Sequence, residues 1–402
     1  MDVEFIVKAG QYIGAGLCMG FGAIGAAVGE GLTGGWANRS IARRPEMASP
    51  FTRTMLVGQA VAETSAIFAL MVAVLLLFTD LSGNGICASA AAISAGLAMG
   101  LGAFGSGIGA GYSSLEAIWG TSRQPLVGGQ MTTTMLVGQA VCQTPAIFAL
   151  VIAFLLVFKD YSGISAWPYS AALLGAGIAM GFGAIGSGWG GGQAGGAACE
   201  GFARQPRLKG SLTTLMLVGQ AVAQTPAIFA LLIALMLIAM GPKDGNLLVS
   251  CAMLGAGISI GLGATGSGMG NGITSESACR AISRTSSVTR PMMTFMLVGQ
   301  AVGQTPVIFS LMISLMLIFG NYAGPVTLPG AMALLAAGIS MGFGAIGPGY
   351  GNGLTAAKAC EALGMQPDKT GLIMRTMLIA QAVAQSTAIY ALVIAFVLMF
   401  VV

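Results

Sequence analysis

Histidine is absent from this sequence of 402 residues, and charged side chains make up only 7% of it. The chain therefore lacks the side chain whose unperturbed pKa lies nearest neutral pH. A soluble domain carries about a quarter charged residues, so this composition, with 55% hydrophobic residues, indicates a membrane protein. The seven cysteines show no C-x-x-C spacing, which argues against a disulfide framework or a zinc site. No basic cluster is interleaved with aromatic residues, which argues against a nucleic-acid partner.

The chain repeats one unit five times, with a step of about 80 residues. Each unit has a glycine-rich apolar segment such as GFGAIG, a polar loop, and a second apolar segment around Gln59 or its equivalent. Segments of about 24 residues can cross roughly 30 Å of hydrocarbon as helices, and lipid leaves few other backbone structures possible. We therefore predict an all-α membrane protein of ten transmembrane helices in five tandem antiparallel hairpins. The predicted hairpins are 1–80, 81–161, 162–241, 242–322 and 323–402.

The predicted spans within these hairpins follow the apolar segments. They are 8–32, 55–79, 86–112, 134–158, 168–195, 215–240, 247–273, 294–319, 327–354 and 376–402. Glycines two to four residues apart in the first helix of each hairpin allow close approach of neighbouring helices. The second helices carry the larger apolar side chains. This difference predicts an inner layer of tightly packed helices inside an outer layer that faces lipid.

The basic residues predict the orientation of the hairpins. Fourteen of the 17 Lys and Arg lie in the loops within hairpins, and only Lys8, Lys159 and Lys243 lie on the other side. By the positive-inside rule, we expect an integral protein of a bacterial-type inner or plasma membrane. Its hairpin loops would be cytoplasmic and both termini would be outside.

One of the five copies of the second segment differs in charge. The segment GQAVAETSAIF contains Glu63, whereas the other four copies have glutamine at this position. A carboxylate deep in a membrane helix is costly and points to function. Glu30, on the first helix of the same hairpin, is expected at a similar depth. Two close carboxylates do not both ionise readily in a low dielectric, so we expect a shared proton or a cation between them.

Three stretches together resemble the c subunit, or proteolipid, of rotary ATP synthases and ATPases: GFGAIG, the loop ARRPE, and QAVAETSAIF. The resemblance covers nearly the whole chain as five fused two-helix units. It implies a two-layer c-ring of hairpins, formed by copies of this chain and possibly other c subunits, that turns in membrane lipid. The expected partners are a stator a subunit with an essential arginine and the central stalk of the ATPase head. The chain would be a non-catalytic rotor subunit without a cofactor, and its bound Na⁺ or H⁺ would be the transported ion.

The sodium-type pattern of that family places a backbone carbonyl two residues before the carboxylate, a hydroxyl after it, and a tyrosine five residues after it. The family's site lies between adjacent hairpins. Hairpin 1 keeps the carboxylate but has Phe68 at the tyrosine position. Hairpin 5 keeps the other half, and we therefore expect one Na⁺ site per chain between hairpin 5 of one copy and hairpin 1 of the next. Its expected ligands are Glu63, Glu30, Val383, Ser386, Thr387 and Tyr390, with Val61, Thr64 and Gln59 as weaker candidates.

Drift in a terminal repeat is the alternative explanation of the hairpin 5 pattern. The four glutamines cannot carry a cation by losing and regaining charge, so ions per turn should equal chains per ring. The resemblance implies about three ATP per turn of the ATPase head, so a ring of two or three chains would move about one ion per ATP. This low ratio of ions to ATP favours ATP-driven Na⁺ pumping. Two other functions stay open at this point: an H⁺ rotor and a static membrane scaffold or pore. A ten-helix substrate carrier should show broken helices with substrate-specific polar groups near the middle of the membrane, but the polar residues there are the same glutamines repeated.

Overall fold

The computed structural model describes residues 3–81, 85–162, 166–241, 245–322 and 326–400. It contains ten helical segments long and apolar enough to cross a membrane, and the all-α prediction is confirmed. Two of the ten segments are divided in two, which gives twelve α-helices. They are α1 (Val3–Arg43), α2 (Ala48–Phe78), α3 (Gly85–Arg123), α4 (Gly128–Cys142), α5 (Thr144–Phe158), α6 (Ala166–Arg204), α7 (Lys209–Met240), α8 (Leu247–Arg284), α9 (Thr289–Gly303), α10 (Thr305–Phe319), α11 (Leu328–Met365) and α12 (Thr370–Phe400).

Each hairpin turns through a single short 3₁₀ turn. In four hairpins a proline begins this turn, as Pro45 does in hairpin 1. Proline disfavours helical backbone at the residue before it, and Arg44 accordingly has φ −139° and ψ 76°. The proline of ARRPE therefore ends α1 and fixes the start of the return helix. Hairpin 4 makes the same turn with Ser286–Val288.

The helices extend beyond the predicted spans. The first span was predicted to end at residue 32, but α1 continues to Arg43, and α3 continues past residue 112 to Arg123. Apolar length measures the part that can lie in hydrocarbon, whereas a helix continues wherever neighbouring helices support it. The described residues do not include the last two residues of the predicted span 376–402. They also do not include Lys243, one of the three lysines predicted to lie on the outer side of the membrane.

The hairpins stand side by side in chain order and form two layers. The inner layer is α1, α3, α6, α8 and α11, each packed against the next, and the outer helices pack over it. Glycine allows the inner backbones to touch: a Cβ added at Gly96 would lie 2.0 Å from the carbonyl oxygen of Gly14, and one at Gly111 would lie 2.4 Å from the Cα of Gly29. The predicted layers are confirmed, with glycine setting the spacing of the inner one.

Among the described residues, hairpins 1 and 5 each pack against a single neighbouring hairpin. The single chain is therefore a row with two free ends, formed by α1 and α2 at one end and by α11 and α12 at the other. Large apolar side chains are exposed at both ends, for example Ile24 on α1 and Phe343 on α11.

Candidate functional site

The two acidic residues of hairpin 1 lie near each other. Glu63 on α2 is exposed, and Glu30 on α1 is half-buried. The two carboxylates interact electrostatically, as expected for antiparallel helices that bring them to one depth. In addition, the side-chain amide of Gln59 donates to the backbone carbonyl of Glu30 at 3.1 Å. The pair predicted from sequence is thus brought together within one hairpin.

The amide of Gln59 has an equivalent in every hairpin. Gln139 donates to the carbonyl of Ala110 in its own inner helix at 3.1 Å, and also to the carbonyl of Gly58 in the preceding hairpin at 3.0 Å. Each such glutamine therefore joins the two helices of its own hairpin, and in hairpins 2 to 5 it also joins two outer helices. The other three are Gln220, Gln300 and Gln381, which donate in the same two directions.

The residues at the Glu63 position make a second set of bonds between hairpins. Gln143 of hairpin 2 donates from Nε2 to the carbonyl of Val61 in hairpin 1 at 2.9 Å. Gln304 of hairpin 4 donates in the same way to Val222 of hairpin 3, also at 2.9 Å. Gln224 bonds to the carbonyl of Val141 in hairpin 2. In each case the acceptor lies two residues before the equivalent position in the preceding hairpin.

The prolines that follow Gln-Thr in hairpins 2 and 3 are explained by two of these bonds. A proline within a helix has no N–H for the carbonyl four residues earlier. Pro145 therefore deprives Val141 of its helical donor, and Pro226 does the same to Val222. Those two carbonyls are the acceptors of the glutamine amides from the next hairpin. The glutamine replaces the donor that the proline removes.

The same prolines interrupt helices that the sequence predicted as continuous. The outer helix of hairpin 2 breaks at Gln143 and that of hairpin 4 breaks at Gln304, whereas α7 continues through Pro226. These breaks do not create a substrate site of the kind expected for a carrier, because their polar side chains are the glutamines bonded between hairpins.

The candidate residues of hairpin 5 lie at the opposite free end. Val383 is 68% exposed and Tyr390 is 66% exposed. Ser386 Oγ donates to the carbonyl of Val383 at 2.7 Å, and Thr387 Oγ1 donates to that of Ala384 at 3.2 Å. The structure thus groups Val383 with Ser386, while one chain does not bring this group to Glu63.

The weaker candidates are occupied inside the chain. The carbonyl of Val61 accepts the Gln143 amide, and the Thr64 hydroxyl donates to Ala60 in its own helix at 3.0 Å. The inter-hairpin bonds of the glutamines were not foreseen from sequence. The recurrence of two glutamines at one spacing was the available signal, but it does not say which carbonyl each one meets.

These features define an integral membrane protein of repeated helical hairpins with a carboxylate pair in its first hairpin. The model of the ATP synthase C-subunit family matches the chain at residues 13–76, 93–156, 174–237, 254–317 and 335–398. The chain belongs to this family and contains five of its domains in tandem. The resemblance to the c subunit is confirmed. Each matched segment lies within one predicted hairpin, although the hairpin boundaries and the sodium-type pattern stay predictions.

Curated relatives agree with this membership. The chain is 52% identical over 68 residues to the ATP synthase c subunit of Thermotoga petrophila, covering 17% of this chain and 80% of that protein. It is 34% identical over 228 residues to the A-type ATP synthase K subunit of Methanocaldococcus jannaschii, covering 57% of this chain and 95% of that protein. The chain is thus a rotor c subunit that takes part in ion translocation and assembles in rings within ATP synthase.

Proposed function

We propose that this rotor subunit translocates Na⁺ at one site per chain, formed between hairpin 5 of one copy and hairpin 1 of the next. The observation that carries the proposal is the register of the internal junctions. In hairpins 2, 3 and 4 the side chain at the Glu63 position reaches the carbonyl two residues before the equivalent position of the preceding hairpin. Applied to the next copy, this register sets Glu63 against the carbonyl of Val383.

The chemistry at that junction differs from that of the internal ones. A glutamine amide donates a hydrogen bond to a carbonyl, whereas an ionised carboxylate only accepts. Facing the Val383 carbonyl, Glu63 needs a proton of its own or a cation between the two oxygens. Na⁺, a hard cation, suits a set of carboxylate, carbonyl and hydroxyl oxygens. Ser386, Thr387 and Tyr390 supply hydroxyls beside that carbonyl.

Glu30 supplies a second carboxylate close to Glu63. With one proton shared between the two acids, the site with Na⁺ bound would carry no net charge. A neutral site can pass through lipid, whereas an unpaired charge there is costly. Glu30 and Glu63 therefore act together, and no other hairpin has acidic residues at both positions.

One site per chain supports a pump driven by ATP. The internal junctions carry amides, which do not titrate, so a ring of two or three chains would carry two or three ions per turn. One charge crossing 100 mV corresponds to about 2.3 kcal/mol, which is too little to make one ATP for each ion. In the other direction, one ATP per ion can build a steep gradient.

The remaining partners follow the orientation predicted from the basic loops. We place the hairpin loops in the cytoplasm, where they would contact the central stalk of the ATPase head. A stator a subunit, with its essential arginine, would face Glu63 as the ring turns. The alternative ion is H⁺, since two carboxylates can hold a proton without Na⁺.

Carbodiimide labelling of the intact ring distinguishes the two ions, because this reagent attacks a protonated carboxyl group. We expect rapid labelling of Glu63 without Na⁺ and at least tenfold slower labelling with saturating Na⁺, whereas K⁺ should not protect. The Glu63→Gln variant serves as the control for labelling elsewhere. Equal labelling rates with and without Na⁺ across the pH range would refute the Na⁺ site and leave the H⁺ rotor.

A further inference from the structure

The two free ends of the chain have the shape of two halves of an internal junction. Gly31 on α1 and Gly351 on α11 have no atom within 4 Å of an added Cβ. Their equivalents inside the row are in backbone contact: a Cβ at Gly111 would lie 2.4 Å from the Cα of Gly29, which occupies the Gly351 position of hairpin 1. The open glycines thus lie where a further hairpin would fit in the same register.

A second contact at each internal junction joins an outer helix to the inner helix of the next hairpin. The outer residue is glycine at all four junctions. A Cβ at Gly58 would lie 2.8 Å from the Cβ of Ser114, and one at Gly299 would lie 2.4 Å from the Cβ of Ala356. The remaining two pairs are Gly138 with Gly195 and Gly219 with Ser275.

At the chain ends this contact is reversed. The outer position in hairpin 5 is Ala380, which is exposed, and the inner position in hairpin 1 is Gly34. An added Cβ at Gly34 meets only Gln59 Nε2, at 3.4 Å, so the space for a methyl group from another chain is open. At the chain ends the side chain thus lies on the outer helix, whereas at the junctions of Gly58, Gly219 and Gly299 it lies on the inner helix.

Charged residues near the loop ends of the inner helices follow the same register. Glu200 of hairpin 3 pairs with Arg280 of hairpin 4, with 2.7 Å between Oε2 and Nε. The equivalent positions at the two ends of the row are Glu361 in hairpin 5 and Arg39 in hairpin 1. A following copy would therefore set an arginine beside Glu361, in the same order as the internal pair.

We propose that hairpin 5 is built to receive hairpin 1 of a second copy of this chain, with Ala380 packed on Gly34 and Glu361 facing Arg39 of that copy. This inference deepens the proposed junction site and rests on it. A hairpin with alanine or serine at the Gly34 position would not fit, because its Cβ would face the Cβ of Ala380. The matching internal distance, from Ala356 Cβ to a Cβ added at Gly299, is only 2.4 Å. Such a hairpin would therefore be excluded from the junction with Ala380.

Disulfide crosslinking in the assembled ring tests this pairing. The variant Gly34→Cys/Ala380→Cys should, on oxidation, give a ladder of covalent oligomers whose steps are one chain each. Each single variant, Gly34→Cys or Ala380→Cys, should give no ladder. The native cysteines are all buried, so they are not expected to form crosslinks between chains. Gly138→Cys/Gly195→Cys is the matched internal pair. It should form a disulfide within one chain, seen as loss of maleimide labelling without a ladder.

A substitution series tests the packing without crosslinking. Gly34→Ser should lower the fraction of chains recovered as closed rings at least fivefold in native mass spectrometry, and adding Ala380→Gly should restore it. No ladder with full reaction of the internal pair, normal closure of Gly34→Ser rings, or ladder steps matching a smaller c subunit would each overturn the inference. Na⁺ protection of Glu63 is read separately. If Na⁺ protects Glu63 but no ladder of crosslinked chains forms, only the proposed pairing is refuted. If a ladder forms but Na⁺ does not protect Glu63, only the Na⁺ site is refuted.

Discussion

The contact between Gly58 and Ser114 gives the sharpest prediction about packing inside one chain. A methyl group at Gly58 would lie 2.5 Å from Ser114 Oγ and 2.8 Å from its Cβ. The serine cannot easily turn away, since its hydroxyl donates to the Ala110 carbonyl at 3.0 Å and accepts from Gln139 at 2.7 Å. We therefore expect Gly58→Ala to destabilise the junction between hairpins 1 and 2.

The size of the effect follows from two terms. Overpacking of a tight interior costs about 1–3 kcal/mol, and displacing the Ser114 hydroxyl adds the loss of a membrane hydrogen bond, about 0.6 kcal/mol. Replacing glycine by alanine within a helix returns about 0.5–1 kcal/mol. The net expectation is a loss of about 0.6–3 kcal/mol in the free energy of unfolding.

The double variant Gly58→Ala/Ser114→Gly should recover most of this loss, because it recreates the arrangement of Ala380 and Gly34. Stability is measured as the midpoint of SDS-driven unfolding in mixed micelles, followed by tryptophan fluorescence. Gly129→Ala is the matched control, since nothing lies within 4 Å of a Cβ there. If Gly58→Ala is as stable as Gly129→Ala, or if Ser114→Gly adds its own loss instead of relieving the first, the packing argument is refuted.

Two further predictions concern the bonds between hairpins and the ion site. Gln224→Leu should destabilise the chain by about 1–3 kcal/mol in the same unfolding assay, because it removes the amide that bonds to the Val141 carbonyl where Pro145 offers no N–H. Gln143→Leu should cost less, since Val61 is followed four residues later by Ser65, which has an N–H. Equal losses would contradict the role given to the prolines. In the assembled ring, Ser386→Ala and Tyr390→Phe should each raise the Na⁺ concentration needed to protect Glu63 from carbodiimide, whereas Thr144→Ala should not; the reverse order would place the ligands in hairpin 2.

The sequence predicts the ten helices well because membrane-crossing length and apolar composition are local properties. The proline of ARRPE likewise predicts its own turn. The breaks at Gln143 and Gln304 could not be read in the same way, since Pro226 sits in an identical Gln-Thr-Pro context and leaves α7 continuous. The bonds from glutamine to valine carbonyls join residues more than 80 positions apart, and no local pattern says which neighbour each amide will meet.

The ion site was predictable in its parts but not in its register. The cost of an acid in a membrane helix singled out Glu63 and Glu30, and the sodium-type pattern of the c-subunit family singled out Ser386 and Tyr390. The relation between the two halves appears only when the internal junctions are compared, because they show which position of one hairpin faces which carbonyl of the preceding one. Five copies in one chain make this comparison possible, since three internal junctions show the same bond and serve as templates for the junction between chains.

The glutamines also bear on how such a rotor would move through lipid. An amide at the Glu63 position does not titrate, and in hairpins 2 to 4 it donates to the carbonyl of the preceding hairpin, so these internal junctions behave as neutral, filled sites. Only the junction between chains would alternate between a bound ion and a bare carboxylate. On the proposed mechanism, charge is thus exposed once per chain, and the hairpins between successive sites pass the stator without exchanging an ion. Replacing Gln224 with glutamate would add one titrating position per chain and so raise the number of ions per ATP. This requires that the Val141 carbonyl accept a hydrogen bond from the protonated glutamate, or coordinate a cation, in place of the bond from the amide.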